Sequence, residues 1–167
     1  MRKFKNILPL MVSCTLLLSS GATFANDTDS AEKNTSLKDE RVPSRYLPLE
    51  QTHDNDSLGY IFVDRQSVKI HPYNPLIRTY TRITNYGPAL SVEQNGEKVP
   101  YRSVVSNEYA NCDKKEFAKG VIQNYENYFG EGNLVETNDK PKRWERPDSF
   151  TKTYQNLIVI CSLPVNK

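Results

Sequence analysis

Histidine is nearly missing from this chain: His53 and His71 are the only two, one in a polar stretch and one directly before a proline. Transition-metal sites assemble imidazoles and thiolates at defined spacing, so no metal centre is expected, and both histidines read as turn or surface residues. A Gly-rich phosphate loop, G-x-S-x-G and H-E-x-x-H are absent as well. That removes the sequence signatures of nucleotide binding, α/β-hydrolase catalysis and zinc-protease chemistry. Paired carboxylates stay open, since two acids that meet in space need not be close in the chain, but no segment points to them. No cofactor is expected. No apolar run reaches the roughly 20 residues that a membrane-spanning helix requires. The spacing of Asp54, Asp56 and Gly59 is that of an EF-hand loop, but Leu58 stands at a ligand position and Arg65 at the closing glutamate.

An excess of one charge is also lacking. Residues 1–25 read as a secretory signal peptide: Arg2, Lys3 and Lys5 give a positive start, Ile7 to Leu18 an apolar run, and Thr23-Phe24-Ala25 a small-residue exit. Cleavage is expected between Ala25 and Asn26. A lipid-attachment role for Cys14 fits less well, because Met11 is a poor match and Leu16 to Leu18 follow it. The leader holds three of the 22 basic side chains and none of the 20 acids, leaving 19 against 20 in the exported chain. A net charge of about −1 gives no overall electrostatic case for nucleic acid or for an anionic membrane as partner.

Of the three cysteines, Cys112 and Cys161 remain after cleavage. Two cysteines in an exported chain make one disulfide or, alternatively, a pair of buried thiols.

Residues 26–57 are polar and mixed in charge, with Pro43 and Pro48, and read as a flexible lead ordered at most where Tyr46, Leu47 and Leu49 meet the domain. The domain proper is expected over 58–167. YIFVDRQSVKI after Gly59 and LIRTYTRIT at 76–84 have the β-branched and aromatic content of strands. In the second, Ile77, Thr79, Thr81 and Ile83 alternate with Arg78, Tyr80 and Arg82, which predicts one core-directed and one solvated face. Asn85 to Pro88 reads as a turn, and Asn95-Gly96 as a tight hairpin whose Pro100 marks a sheet edge or a strand stop. Tyr101 to Tyr109 has the strongest two-residue alternation, and it leads directly to Cys112. Residues 117–129 fit both a strand and a helix, with Gly120 and the aromatics favouring strand. Phe150, Tyr154, Leu157, Ile158 and Cys161 recur at helical spacing, with Asp148 or Ser149 as N-cap and Pro164 as stop. The expected fold is therefore α+β: an antiparallel sheet of five to six strands with one C-terminal helix packed on it. A Cys112 to Cys161 bridge would clamp helix to sheet.

One cluster stands out. Lys140, Lys142, Arg143 and Arg146 surround Trp144, the only tryptophan. Such a composition suits an interface hot spot or stacking on a sugar or acidic polymer; it equally suits a tryptophan packed over the sheet with cations solvating its rim. Tyrosine, with ten copies, fits either an adhesive surface or ordinary β composition.

The strand YIFVDRQSV, the strand IRTYTRIT, the segment YRSVVSNEYANCDKKEF, the single loop tryptophan and the closing helix with its cysteine follow one another in an order that resembles the surface-adhesin E family of small Gram-negative envelope proteins. The resemblance covers roughly 59–163. It implies a sheet of about six strands, a C-terminal helix, the Cys112–Cys161 bridge, binding of host matrix or serum proteins, and homodimers. The polar lead, Pro100 and the lack of a fitting lipid-attachment cysteine depart from it. On this reading the chain is an exported, non-catalytic binding protein at the cell surface, in the periplasm or secreted. The alternative is a periplasmic structural or accessory protein that binds an envelope component; a small hydrolase has only its export in favour.

Overall fold

Four short connections and one longer one turn the chain back on itself, so that each strand pairs with the one before it. In a computed structural model that describes residues 42–54, 56–140 and 142–166, the strands are β1 Tyr46–Asp54, β2 Ser57–His71, β3 Asn74–Gln94, β4 Glu97–Asn111, β5 Glu116–Tyr125 and β6 Leu134–Asn138. They form one six-stranded sheet in sequence order, with every neighbouring pair antiparallel. A short 3-10 turn, Tyr128–Gly130, lies between β5 and β6, and helix α1, Lys152–Ser162, closes the chain. The expected leader and the first part of the polar lead fall outside the described residues.

The expected α+β architecture is present, with local differences. The sheet starts at Tyr46, inside the stretch read as a polar lead. β1 was hidden because its few apolar residues are divided between the two faces, Tyr46 in one core and Leu49 in the other, and a bulge between Pro48 and Glu50 shifts the register of the residues that follow. Asn85 to Pro88 is not a turn: β3 runs through it with a register shift between Asn85 and Leu90. A strand can absorb such extra residues as a bulge without ending. The segment 117–129 is a strand as far as Tyr125, held between β4 and β6. There a Cβ at Gly120 would come within 3.1 Å of the Asn107 carbonyl oxygen, so the strand passes its neighbour closely only because the side chain is missing. Finally, the helix starts later than expected. Thr151, not Asp148 or Ser149, is the N-cap, and its hydroxyl accepts from the Tyr154 amide at 3.2 Å. Thr151→Ala is expected to cost about 1 kcal/mol, read as a lower urea midpoint at unchanged slope.

The Asn95-Gly96 hairpin is as expected, with positive φ at both residues (52° and 85°), the geometry of a type I′ turn. Pro100 pairs with Ser91 in the part of β4 that extends beyond the reach of β5, so its missing N–H breaks no ladder.

Consecutive strand residues point to opposite faces, and both faces of this sheet carry a core. On one, Val63, Val68, Tyr80 and Ala110 meet Leu157 and Ile160 of α1, with Leu49, Cys112, Phe117 and Cys161 around them. On the other, Tyr46, Tyr60, Phe62 and Ile83 are covered by Phe129 from the 3-10 turn, whose ring stacks on Tyr46 at 4.6 Å. That turn is tied down by two buried side chains: Asn85 accepts the Phe129 amide at 2.9 Å and Ser103 the Gly130 amide at 3.0 Å. The Cys112–Cys161 disulfide, with Cα atoms 5.6 Å apart, joins the end of β4 to the end of α1.

The helix thus lies on the face that carries Arg78, Tyr80 and Arg82, so both faces of β3 are covered where the alternation predicted one core-directed and one solvated face. The cations are compatible with it because each is engaged. The Arg78 guanidinium donates to the carbonyls of Ile160 and Leu163 at the helix C-terminus, satisfying groups that a helix end leaves open. Arg82 faces Glu108 at 3.5 Å.

Candidate binding surface

Sequence beyond β6 does not leave the sheet. After Asn138 the chain runs on along the same edge of β5: the Lys142 amide donates to the Lys119 carbonyl at 3.0 Å, and Phe117 and Glu145 exchange both backbone hydrogen bonds at 2.8 and 2.9 Å. The segment read as a loop is therefore a strand-like rim whose backbone is fixed by β5. Lys140, Lys142, Arg143, Trp144 and Arg146 are all exposed on it. Trp144 keeps 44% of its surface in solvent, so the indole is neither a core residue nor free. Among the described residues, Arg146 is the one cation of the four with an acidic partner, Glu116 at 3.0 Å. A fixed backbone lowers the entropy lost when such side chains meet a partner. The rim can offer an apolar plate and cations.

The polar group that the sequence did not reveal lies under the helix. Glu108, 3% exposed, accepts from the Tyr80 hydroxyl at 2.7 Å and from the Ser106 hydroxyl at 2.9 Å, with Arg82 beside it. Burial first, then the Glu108 charge and its hydrogen bond, hold the Tyr80 phenol well above its usual range. It therefore stays a donor at any physiological pH. The adjoining cavity, about 30 Å³, is lined by Leu49, Tyr80, Arg82, Glu108, Asn156 and Leu157 among others. It has room for a water or two and not for a substrate. Its alternation with Arg78 and Arg82 disguised Tyr80, and only the pairing of Tyr80 with Glu108 across β3 and β4 brings the acid to it.

The histidines are apart: His53 is exposed on β1 and His71 sits at the β2–β3 turn, where its Nδ1 accepts the Tyr73 amide. Among the described residues no three His, Cys, Asp or Glu side chains are placed to hold a metal ion, and no helix is long and apolar enough to cross a membrane.

Solved structures share this architecture. A crystal structure of protein E from non-typeable Haemophilus influenzae superposes with a TM-score of 0.61 at 19% identity, covering 79% of this chain and 88% of its own. The selenomethionine form of H. influenzae protein E gives 0.59 at 18% identity over 77% of this chain and 92% of that one. Crystal form II of the same protein gives 0.57 at 20% identity, over 72% and 90%. No curated protein matches the chain in sequence. The family model described as surface-adhesin protein E matches residues 46–162, from the first residue of β1 to the last of α1, and the chain belongs to that family.

Proposed function

We propose that this chain is an exported, non-catalytic, adhesin-like binding protein of a Gram-negative cell surface, and that the rim Lys140, Lys142, Arg143, Trp144 and Arg146 is where it meets a protein partner. The observation that carries the reading is the half-exposed Trp144 held on a fixed strand edge among exposed cations. Tryptophan and arginine dominate the energetics of protein interfaces, and a rim with its backbone already bonded loses little freedom on binding. Host matrix and serum proteins are the partner class that the family suggests. The exported form would start at Asn26 after cleavage behind Ala25, and homodimers would present two such rims.

Binding of the purified chain to immobilised matrix and serum proteins tests this directly. Trp144→Ala is expected to weaken binding more than tenfold, as hot-spot truncations do, with the melting temperature little changed because much of the indole already faces water. Unchanged affinity to every partner that the parent binds would refute the rim as the site. Protease shaving of intact cells tests the location: rim peptides released from the surface support it. A chain protected in the soluble periplasm would favour the accessory role.

A further inference from the structure

The end of the sheet farthest from the Asn95-Gly96 hairpin carries apolar side chains that the fold does not use. β2 and β3 are joined there by a turn in which His71 pairs with Asn74, leaving Ile70 44%, Tyr73 90% and Leu76 54% exposed, with Pro72 and Pro75 also in solvent. Three large apolar residues within seven positions, all projecting, make a concentrated patch rather than the scattered exposure that any surface shows. The turn is also braced. The Leu76 amide donates to Asn74 Oδ1 at 3.0 Å, the Tyr73 amide to His71 Nδ1 at 3.3 Å, and the His71 ring meets the rings of Tyr73 and Tyr109 edge-on at 5.9 and 6.0 Å.

The β4–β5 turn lies alongside, since the Cys112 amide donates to the Leu76 carbonyl at 3.1 Å. It adds exposed Lys114 and half-exposed Lys115, and Lys69 is exposed at the base of the first turn. Asp113 is the one acid in the two turns. The tip is therefore apolar at its point and cationic at its shoulders. Aliphatic and tyrosine side chains flanked by the exposed Lys69 and Lys114 match the boundary between acyl chains and acidic headgroups, with the ammonium groups at the level of the phosphates. Such a local match needs no net charge on the whole chain.

We propose that the β2–β3 tip, Ile70, Tyr73 and Leu76 with Lys69 and Lys114, inserts shallowly into an anionic phospholipid surface and docks the protein on it reversibly. The proposal does not rest on the rim, whose Arg146 end meets the start of β5 at Glu116, next to the β4–β5 turn. Co-sedimentation of the purified exported chain with vesicles of phosphatidylglycerol and phosphatidylcholine, against phosphatidylcholine alone, is the test. Expected are sedimentation with the anionic vesicles only and a severalfold loss between low and high salt. The double variant Ile70→Ser/Leu76→Ser should fall at least tenfold in bound fraction, and Lys69→Glu/Lys114→Glu should fall similarly. Melting temperatures of both variants should stay near the parent's, and Phe150→Ser, an equally exposed aromatic elsewhere, should bind like the parent. No sedimentation with either vesicle overturns the proposal. So does sedimentation that the tip variants leave intact. If the tip variants instead lose a soluble protein partner, or convert a dimer to a monomer in sedimentation velocity without any vesicle binding, the tip is a protein interface and the lipid proposal is wrong.

Discussion

Replacing both Cys112 and Cys161 by alanine is expected to lower the melting temperature by on the order of 15 °C. The bridge closes a segment of 49 residues, and the chain-entropy account puts such a closure at about 4 kcal/mol, with each kcal/mol worth roughly 4 °C in a domain of this size. The helix explains why little would compensate. At 11 residues it is shorter than the roughly 12 to 15 at which isolated helices become even marginal. Leu157 and Ile160 are its only fully buried residues, and beyond the bridge its C-terminus is fixed by Arg78 and by Asn166, whose amide donates to the Val68 carbonyl at 2.9 Å. Loss of the bridge should therefore appear first as faster hydrogen exchange in 152–162, with the β2–β4 amides protected until global unfolding. Adding reductant to the parent should reproduce the shift. A melting temperature within a few degrees of the parent's would mean that packing alone seats the helix.

Local patterns carried much of this fold into the sequence. β2, the Asn95-Gly96 hairpin, the helix and the two bridged cysteines were each legible because a period, a turn dipeptide or a compartment rule speaks for itself over a few residues. What was not legible depends on register. That both faces of β3 are covered was hidden, because nothing local shows that Arg78 caps a helix end 82 residues away and that Arg82 meets an acid on the next strand. β1 was missed for a related reason: its apolar residues are few and serve both cores, Tyr46 one and Leu49 the other, so no single apolar face shows in the sequence. In the candidate rim the composition was plain from the sequence, but not its fixed backbone, which depends on β6 ending at Asn138 while β5 still has open edge to offer. The Ile70–Leu76 tip was disguised by its prolines. HPYNP looks like an ordinary turn until the sheet shows that Ile70 and Leu76 on either side of it stay exposed.

The buried acid gives the second large effect. Glu108→Ala is expected to cost about 3 kcal/mol, because it strands the Tyr80 and Ser106 hydroxyls and the Arg82 guanidinium beneath the helix and opens space beside a cavity already there. Glu108→Gln keeps the volume and an acceptor and should cost about half as much. The pH dependence separates packing from proton binding. Tyr80 holds its proton above the ordinary tyrosine value of 10.0, chiefly through burial and then through Glu108. In the folded state it therefore binds a proton that the unfolded chain gives up as pH passes about 10. Its contribution is fully present below pH 10 and is lost as the pH climbs from there toward the folded-state value. Burial moves Tyr46, Tyr86 and Tyr101 in the same direction, so urea midpoints should be level from pH 7 to about pH 9 and fall steeply above it. Tyr80→Phe should start lower at pH 7, having removed a donor from Glu108, yet decline less steeply above pH 10. If it declines as steeply as the parent, the alkaline limit is set elsewhere, and the Tyr80–Glu108 pair is a packing element without a proton to defend.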